Sequence, residues 1–186
     1  MNHKDLTDFQ IVELVRKDPN NFEYIIDRYE QKLFNYIMRS TDISVAEAED
    51  LLQEIFIKVY KNIFEVSEDL SFSSWIYRIA HNHIIDHFRK NSRIEKVSLD
   101  DESYSFLINN IKSDFGPDVD LDRKETREMV QRALSKIRKE YREVLVLRFM
   151  EDKSYDEISD ILRIPIGTVG TLINRAKKDM KEHLIF

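Results

Sequence analysis

Apolar side chains recur at helical spacing through the first half of the chain. Three stripes repeat every three or four residues, which is the period of an amphipathic α-helix. Their members are Phe22, Ile25, Ile26, Tyr29, Leu33 and Ile37; then Ala48, Leu51, Leu52, Ile55, Phe56, Val59 and Ile63; then Ile76, Ile79, Ala80, His83, Ile84 and His87, the third stripe being more polar at its end. Ser44 and Glu47 have the spacing of a capping box before the second stripe, and Thr7 to Gln10 offers a weaker helix start. The pattern therefore predicts a helical bundle.

The helical pattern stops between residues 95 and 122 and then returns. This stretch mixes acidic residues, Ser, Gly and Pro with few apolar ones, as flexible linkers do, and only 105–111 favours a transient helical turn. Periodicity resumes with Met129, Val130, Ala133, Leu134, Ile137, Tyr141, Val144, Leu145, Arg148 and Phe149. We predict an all-α fold of two small helical domains, 1–94 and 123–186, joined by a flexible acidic linker at 95–122.

The stretch from Ser154 to Met180 has the layout of a helix-turn-helix. Ser154 and Glu157 form a second capping box, and Pro165 prevents the first helix from continuing. We expect the turn at Arg163–Ile166 and a second helix from Gly167-Thr168 with Thr168 as its cap. Arg163 stands where a left-handed backbone is usual, at a cost of about 1 kcal/mol. The inward residues are expected to be Tyr155, Ile158, Ile161 and Leu162, then Val169, Leu172, Ile173, Ala176 and Met180.

The outward face of the predicted second helix suits DNA. It consists of Gly170, Thr171, Asn174, Arg175, Lys178 and Lys181. Small and amide side chains can approach base edges, and Asn can pair with adenine, whereas Arg and Lys suit phosphates. A helix-turn-helix places its second helix in the major groove. On spacing alone, a helical hairpin with a solvated basic face remains the alternative.

The distribution of charge supports a nucleic-acid role that the total hides. The formal net charge is −6, but residues 1–94 carry −4, 95–122 carry −6 and 123–186 carry +4. Within Arg163–Lys181 there are five basic residues and one acid, Asp179. The basic excess therefore lies on the predicted helix-turn-helix.

Composition narrows the function classes further. The chain has no cysteine, which fits a reducing cytoplasm, and three glycines, too few for a Gly-rich phosphate loop. No apolar run approaches bilayer length and no signal-peptide pattern opens the chain, so we expect no membrane insertion. His81, His83 and His87 raise the question of a metal, but three histidines on a wet helix face are more often polar surface. We expect no enzyme activity, no cofactor and no metal.

Two further blocks lie in the first predicted domain. Asp50, Gln53, Glu54 and Lys58 fall off the apolar stripe, which on periodicity alone indicates an ordinary solvated face. The segment 72–90 mixes aromatic with basic residues, and single-stranded nucleic acid is bound by aromatic platforms beside positive charge. The alternative for Trp75 is a core anchor surrounded by basic side chains.

Together the three blocks carry a resemblance. DLLQEIFIKVYKN, FSSWIYRIAHNHIIDHFRK and SYDEISDILRIPIGTVGTLINRAKK, in this order and spacing, resemble the extracytoplasmic-function sigma factors of bacterial RNA polymerase. The likeness covers nearly all of the chain except the linker. It implies a factor that binds core RNA polymerase, recognises upstream and downstream promoter elements and helps to melt DNA. The alternative is a stand-alone helix-turn-helix regulator, which would bind paired half-sites as a dimer and leave the other two blocks unexplained.

The resemblance also implies partners and site residues. The partners are core RNA polymerase, through the clamp helices of its largest subunit and its flap region, promoter DNA, and an anti-sigma factor such as holds many family members inactive. Polymerase binding would fall to Asp50, Gln53, Glu54 and Phe56. Single-stranded downstream promoter DNA would contact Ser73, Ser74, Trp75, Arg78, Asn82, Asp86 and Arg89. Upstream duplex would contact Thr168, Gly170, Thr171, Asn174, Arg175 and Lys178.

Two positions depart from the family pattern. Gly170 begins the triplet that is commonly of Lys-Ser-Arg type, and Arg163 replaces the usual turn glycine. Gly170 removes an expected phosphate contact and weakens its helix by roughly 1 kcal/mol relative to Ala.

Overall fold

The described part of the chain is helical. The computed structural model describes residues 5–66, 71–90 and 123–184, with side chains in the last range from Glu128 onward. No strand occurs within these ranges, in agreement with the all-α prediction. The chain folds into two compact units, the first formed mainly by the helices up to Lys90 and the second mainly by those after Arg123. The predicted linker, including the turn expected at 105–111, lies outside the described residues.

The first unit contains four helices. They are α1 (Asp8–Lys17), α2 (Glu23–Ser40), α3 (Val45–Asn62) and α4 (Phe72–Lys90), with short 3-10 turns at Pro19–Phe22 and Ile63–Glu65. Both predicted helix starts are confirmed. Thr7 and Gln10 form a capping box on α1, and Ser44 and Glu47 form one on α3. The hydrogen bonds from Ser44 hold the pKa of the Glu47 carboxyl below its usual value, because they stabilise its charged form.

The predicted apolar stripes form the core of this unit. The α3 stripe is buried throughout, and in α2 the residues Ile25, Tyr29, Leu33 and Ile37 are buried. Helix α1 adds Ile11, Val12 and Val15. Its Arg16 guanidinium donates to the Phe64 carbonyl at 3.2 Å and to the Val66 carbonyl. These bonds fasten α1 to the segment that follows α3.

Tyr29 is the meeting point of three helices. Its hydroxyl donates to Asp8 of α1 at 2.6 Å, and Arg28 binds the other oxygen of that carboxylate at 2.8 Å. Burial, followed by the Asp8 charge, raises the pKa of Tyr29, so the phenol stays protonated and remains a donor. Ser73 of α4 hydrogen-bonds to the same hydroxyl, and the Phe72 ring packs edge-on at 5.6 Å.

The histidines of α4 are not all on a wet surface. His81 and His83 are buried, each 8% exposed, whereas His87 is half-buried. The prediction of a wet polar face was therefore wrong for His81 and His83. For His83 the reason is that α4 packs against α3, where the imidazole finds a polar partner in Glu54.

The second unit contains the remaining four helices. They are α5 (Arg123–Lys136), α6 (Lys139–Leu145), which runs into a π-helical turn at Val146–Met150, α7 (Tyr155–Leu162) and α8 (Ile166–His183). Helix α8 packs against α5 and α6. Arg142 Nε donates to the Leu134 carbonyl at 2.7 Å, which satisfies an otherwise unpaired acceptor near the end of α5.

Candidate nucleic-acid and protein interfaces

The turn between α7 and α8 has the predicted form. Ser154 and Glu157 make the capping box that opens α7, with backbone-to-side-chain bonds of 2.9 and 3.2 Å. Arg163 ends α7 in the left-handed region at φ 56° and ψ 42°. The Ser159 hydroxyl donates to the Ile164 carbonyl at 2.6 Å, which satisfies an acceptor within the turn. The helix-turn-helix geometry is therefore confirmed, together with the strained position of Arg163.

Helix α8 begins one residue earlier than predicted. Its first residue is Ile166, its N-cap is Pro165, and no side chain caps it. Thr168 is not the cap, because its backbone N–H already donates to the Pro165 carbonyl at 2.8 Å inside the helix. The prediction was wrong because the Pro165 carbonyl accepts the first hydrogen bonds of the helix, from the backbone N–H groups of Thr168 and Val169.

Helix α8 separates an apolar face from a polar face. Val169, Ile173, Ala176 and Met180 are buried, and Leu172 is half-buried. The candidate DNA-contacting residues on the opposite face are exposed except Gly170, which is half-buried: Thr168, Gly170, Thr171, Asn174, Arg175 and Lys178. The structure thus brings them together on one side of α8, with the basic members toward its C-terminal half.

Tyr155 does not point into the core. It is 38% exposed, so its predicted inward position was wrong. The ring lies beside Gly170, and the guanidinium of Arg148 stands 5.7 Å from its centroid. Ile158 and Ile161 supply the buried face of α7, so the aromatic ring is left at the surface. Arg148, which the sequence placed only in a helical stripe, belongs to this surface and donates to the Lys153 carbonyl at 2.9 Å.

The polar face of α3 borders an apolar groove. Asp50, Gln53 and Glu54 are exposed as predicted, whereas Phe56 is only 8% exposed and packs against Phe22. A groove of about 460 Å³ runs between α2 and α3. It is lined by Phe22, Ile26, Glu30, Leu52, Gln53, Phe56, Ile57 and Tyr60.

Two residues of this groove were missed by the sequence reasoning. Ile57 is 54% and Tyr60 42% exposed, so two large apolar side chains of α3 lie together at the surface beside the groove. The available signal was that Ile57 interrupts the polar face of α3. An apolar residue on the solvent side of an amphipathic helix indicates a surface that something else covers.

A hydrogen bond connects this face to α4. His83 Nε2 lies 2.7 Å from Glu54 Oε2, and the His83 side chain is 10% exposed while that of Glu54 is 64% exposed. Burial, followed by the charge of Lys58, lowers the pKa of His83, against smaller opposing effects of Glu54 and Asp86. The neutral imidazole is therefore favoured, and its Nε2 carries the proton because the carboxylate only accepts.

The candidate residues on α4 fall into two groups. Ser74 and Trp75 are buried, 4% and 8% exposed, and the Trp75 ring packs on Phe72 at 5.4 Å. Ser73 and Arg78 are half-buried. Asn82 and Arg89 are exposed, and Asp86 is half-buried and pairs with Arg89 at 3.1 Å. The placement of Trp75 fits the core-anchor alternative, and the outward part of α4 lies toward its C-terminal end, beside the 49% exposed Ile85.

Two further observations bear on other function classes. In residues 5–66, 71–90 and 123–184 there is no group of three or more His, Asp or Glu placed to hold a metal ion. In the same ranges no helix is both long and apolar enough to cross a membrane.

Comparisons with known proteins agree on both units. Residues 25–94 match the family model of Sigma-70 region 2, and residues 127–180 match that of Sigma-70 region 4. The chain is 32% identical over 178 residues to the ECF RNA polymerase sigma factor SigW of Bacillus subtilis, covering 94% of this chain and 95% of the relative. It is 29% identical to the RNA polymerase sigma-H factor of Pseudomonas aeruginosa, covering 95% of this chain and 93% of the relative.

Among the solved structures that share the fold, two are complexes of a sigma factor or a similar chain with a second protein. One is the sigma factor RpoE in complex with the anti-sigma factor NepR from Bartonella quintana, with a TM-score of 0.68 at 20% identity, covering 88% of this chain and 96% of that one. The other is CnrH in complex with the cytosolic domain of CnrY, with a TM-score of 0.68 at 19% identity, covering 95% and 96%.

Proposed function

The chain belongs to the extracytoplasmic-function (ECF) sigma factors, and from this membership we propose how its two units divide the work of promoter recognition. Sigma factors bind core RNA polymerase and bring it to promoter DNA. The sigma-factor family is not a family of enzymes. The protein is accordingly expected in the cytoplasm, where polymerase and promoter are found.

The first unit would dock on polymerase through α3. Asp50, Gln53 and Glu54 are the exposed polar residues, and the groove with Ile57 and Tyr60 lies beside them. An apolar and aromatic centre with a polar rim is the usual composition of a protein–protein interface. Phe56 would act as the buried wall of the groove. The clamp helices of the polymerase largest subunit are the proposed partner surface.

Helix α4 would hold the melted downstream element. Asn82, Asp86 and Arg89 offer polar and basic groups on its outward end. Ser73, Ser74, Trp75 and Arg78 would form the end of α4 that captures an extruded base. Capture there requires local movement, because Ser74 and Trp75 are buried, and extruding a base itself costs a few kcal/mol.

The second unit would read the upstream element as duplex. The observation that carries this proposal is the outward face of α8, which presents polar and basic side chains opposite a continuous buried stripe. Asn174 is the proposed adenine contact, and Arg175 and Lys178 are the proposed phosphate contacts. Thr168, Gly170 and Thr171 would allow close approach of the helix to DNA, and the flap region is the proposed polymerase contact of this unit.

An anti-sigma factor is the proposed regulator. The two solved structures described above are complexes with a second protein, which in one of them is named an anti-sigma factor. The groove between α2 and α3 offers apolar surface that such a protein would cover while it blocks polymerase. This competition would keep the factor inactive until it is released.

The docking proposal is tested by the affinity of the full chain for core RNA polymerase. Gln53→Ala should weaken binding by about 1 kcal/mol, roughly fivefold, because an interface contact is lost. Gln31→Ala is the matched control, since Gln31 is an exposed glutamine on α2 that does not line the groove. Equal binding by the Gln53→Ala variant and wild type would contradict the docking face.

A further inference from the structure

Glu54 is the member of the proposed docking set whose exposed carboxylate is bonded to a buried group of the neighbouring helix. Its Oε2 accepts from His83 Nε2 at 2.7 Å. His83 is 10% exposed at its side chain, so the ring has little freedom, while the carboxylate it holds is 64% exposed. The bond therefore joins a fixed anchor in α4 to a solvent-facing group on α3.

The chemistry of the ring favours a single arrangement. An ionised carboxylate has only acceptors, so Nε2 must carry the proton of the neutral imidazole. Nδ1 is buried and has no hydrogen-bond partner. A second proton there would make the ring a cation with a buried, unpaired N–H, and an unpaired buried group costs more when it is charged. The ring is thus held as the Nε2–H tautomer and donates toward α3.

The charged neighbours explain why a neutral donor suits this position. Lys58 follows Glu54 by one helical turn on α3, and Asp86 lies one turn after His83 on α4. Lys58 and burial both oppose a positive charge on the ring. A Lys or Arg in place of His83 would bring a second permanent cation beside Lys58 in a largely buried site. Imidazole supplies the hydrogen bond without that charge.

We propose that His83 is a positioning residue that fixes the Glu54 carboxylate in its polymerase-binding orientation, and this rests on the proposed docking function of α3. A free Glu side chain samples many rotamers, and association must then freeze it. Freezing one such side chain weakens binding by about two- to twelvefold, so ordering it beforehand recovers that factor. His83 itself need not touch polymerase.

The test measures dissociation constants of full-chain variants for core RNA polymerase. His83→Leu removes the donor and keeps an apolar body, so we expect binding about three- to tenfold weaker than wild type. His83→Gln keeps an N–H donor and should recover most of the loss. Glu54→Ala should weaken binding by at least as much as His83→Leu. Adding His83→Leu to Glu54→Ala should cost nothing more, because the group to be positioned is gone.

The variant Gln53→Ala separates failure of this inference from failure of the docking function. If Gln53→Ala and Glu54→Ala weaken binding while His83→Leu binds like wild type, the positioning role is overturned and the docking face stands. The positioning role is also overturned if the losses of affinity caused by His83→Leu and Glu54→Ala add up in the double variant. If Gln53→Ala and Glu54→Ala both bind like wild type, the docking face is overturned and the inference with it.

A spectroscopic measurement covers the case in which His83→Leu fails to fold, as judged by circular dichroism. Ring-nitrogen NMR of the wild-type chain should show His83 as the Nε2–H tautomer with a slowly exchanging ring proton. In Glu54→Ala that proton should exchange faster, because its acceptor is missing. An Nδ1–H tautomer, or equal exchange in the two proteins, would overturn the proposal.

Discussion

The ring of Tyr155 lies against the bare backbone of Gly170: a Cβ placed on Gly170 would stand 3.6 Å from Tyr155 Cε2. The first and second helices of the helix-turn-helix therefore meet at a position without a side chain. A separation of 3.6 Å is ordinary van der Waals contact, so space does not demand glycine here. The effect of Gly170 is that the face of α8 proposed to contact DNA has no side chain at this position.

Replacing Gly170 with Ala should stabilise the second unit. We expect a gain of about 1 kcal/mol in the free energy of unfolding, because Ala loses less backbone entropy in a helix and the methyl group fits beside Tyr155. Urea unfolding followed by circular dichroism measures it. Gly167→Ala is the control, since a Cβ there would meet nothing within 4 Å. If Gly170→Ala lowers the free energy of unfolding while Gly167→Ala raises it, the Tyr155 ring cannot accommodate the methyl group.

Removing the outward basic residues of α8 should weaken promoter binding by the holoenzyme in a salt-dependent way. Arg175→Ala and Lys178→Ala should each flatten the plot of log affinity against log salt by about 0.9, the contribution of one phosphate contact. Lys177→Ala removes the same charge, but Lys177 is half-buried and stands 5.9 Å from the Phe149 ring centroid. The Lys177→Ala variant should therefore keep a slope of log affinity against log salt close to that of wild type. Three identical slopes would speak against the proposed orientation of α8.

The strain at Arg163 should be measurable by replacing it with glycine. Arg163→Gly should raise the free energy of unfolding by about 0.5–1 kcal/mol, because glycine adopts the left-handed region without the steric cost but gains entropy when unfolded. Asp152 also has a positive φ, 50°, and serves as the control. The gain for Asp152→Gly should be smaller, since Asp tolerates this region better than Arg. Thermal or urea unfolding that shows Arg163→Gly less stable than wild type would contradict this.

The buried His83 should make the first unit sensitive to acid. Its pKa in the folded protein lies below the ordinary 6.5, so below that pH the unfolded chain binds the proton more readily than the folded one. The contribution of neutral His83 to the free energy of unfolding is therefore fully present above about pH 6.5. It is lost as the pH falls through the lowered pKa of the folded protein. Trp75, the single tryptophan, reports unfolding of this unit by fluorescence.

The His83→Gln variant provides the comparison for this pH dependence. Its stability should fall less than that of wild type over the same range, because Gln does not titrate. The charged groups that face His83, namely Glu54, Lys58 and Asp86, are present in both proteins. Parallel curves for the two proteins would contradict a depressed pKa at His83.

Local chemistry allowed much of the fold to be predicted from sequence. The two predicted capping boxes, the helix start at Thr7, the α3 stripe and the left-handed Arg163 depend on residues within one or two turns, and each is confirmed. The predicted N-cap of α8, Thr168, lies three residues after the observed one, Pro165, whose carbonyl accepts the first helical hydrogen bonds. The division into polar and apolar faces on α8 followed from helical period alone.

The missed features depend on contacts between helices. Tyr155 was expected inside because its spacing fits an apolar stripe, but α8 offers it only the bare Gly170. His83 was expected at a wet surface because its partner, Glu54, is 29 residues away in sequence. The groove with Ile57 and Tyr60 needs both α2 and α3 in place. Periodicity in one segment carries no information on such pairings.

Run-off transcription tests the central claim most directly. Core RNA polymerase is combined with the chain on a library of genomic fragments, and the start sites are mapped. We predict transcripts that require the chain and begin at a fixed distance from shared upstream and downstream motifs, with Gln53→Ala lowering their yield and Gln31→Ala leaving it unchanged. Tight binding of the free chain to duplex DNA, together with no transcript that depends on it, would contradict the account.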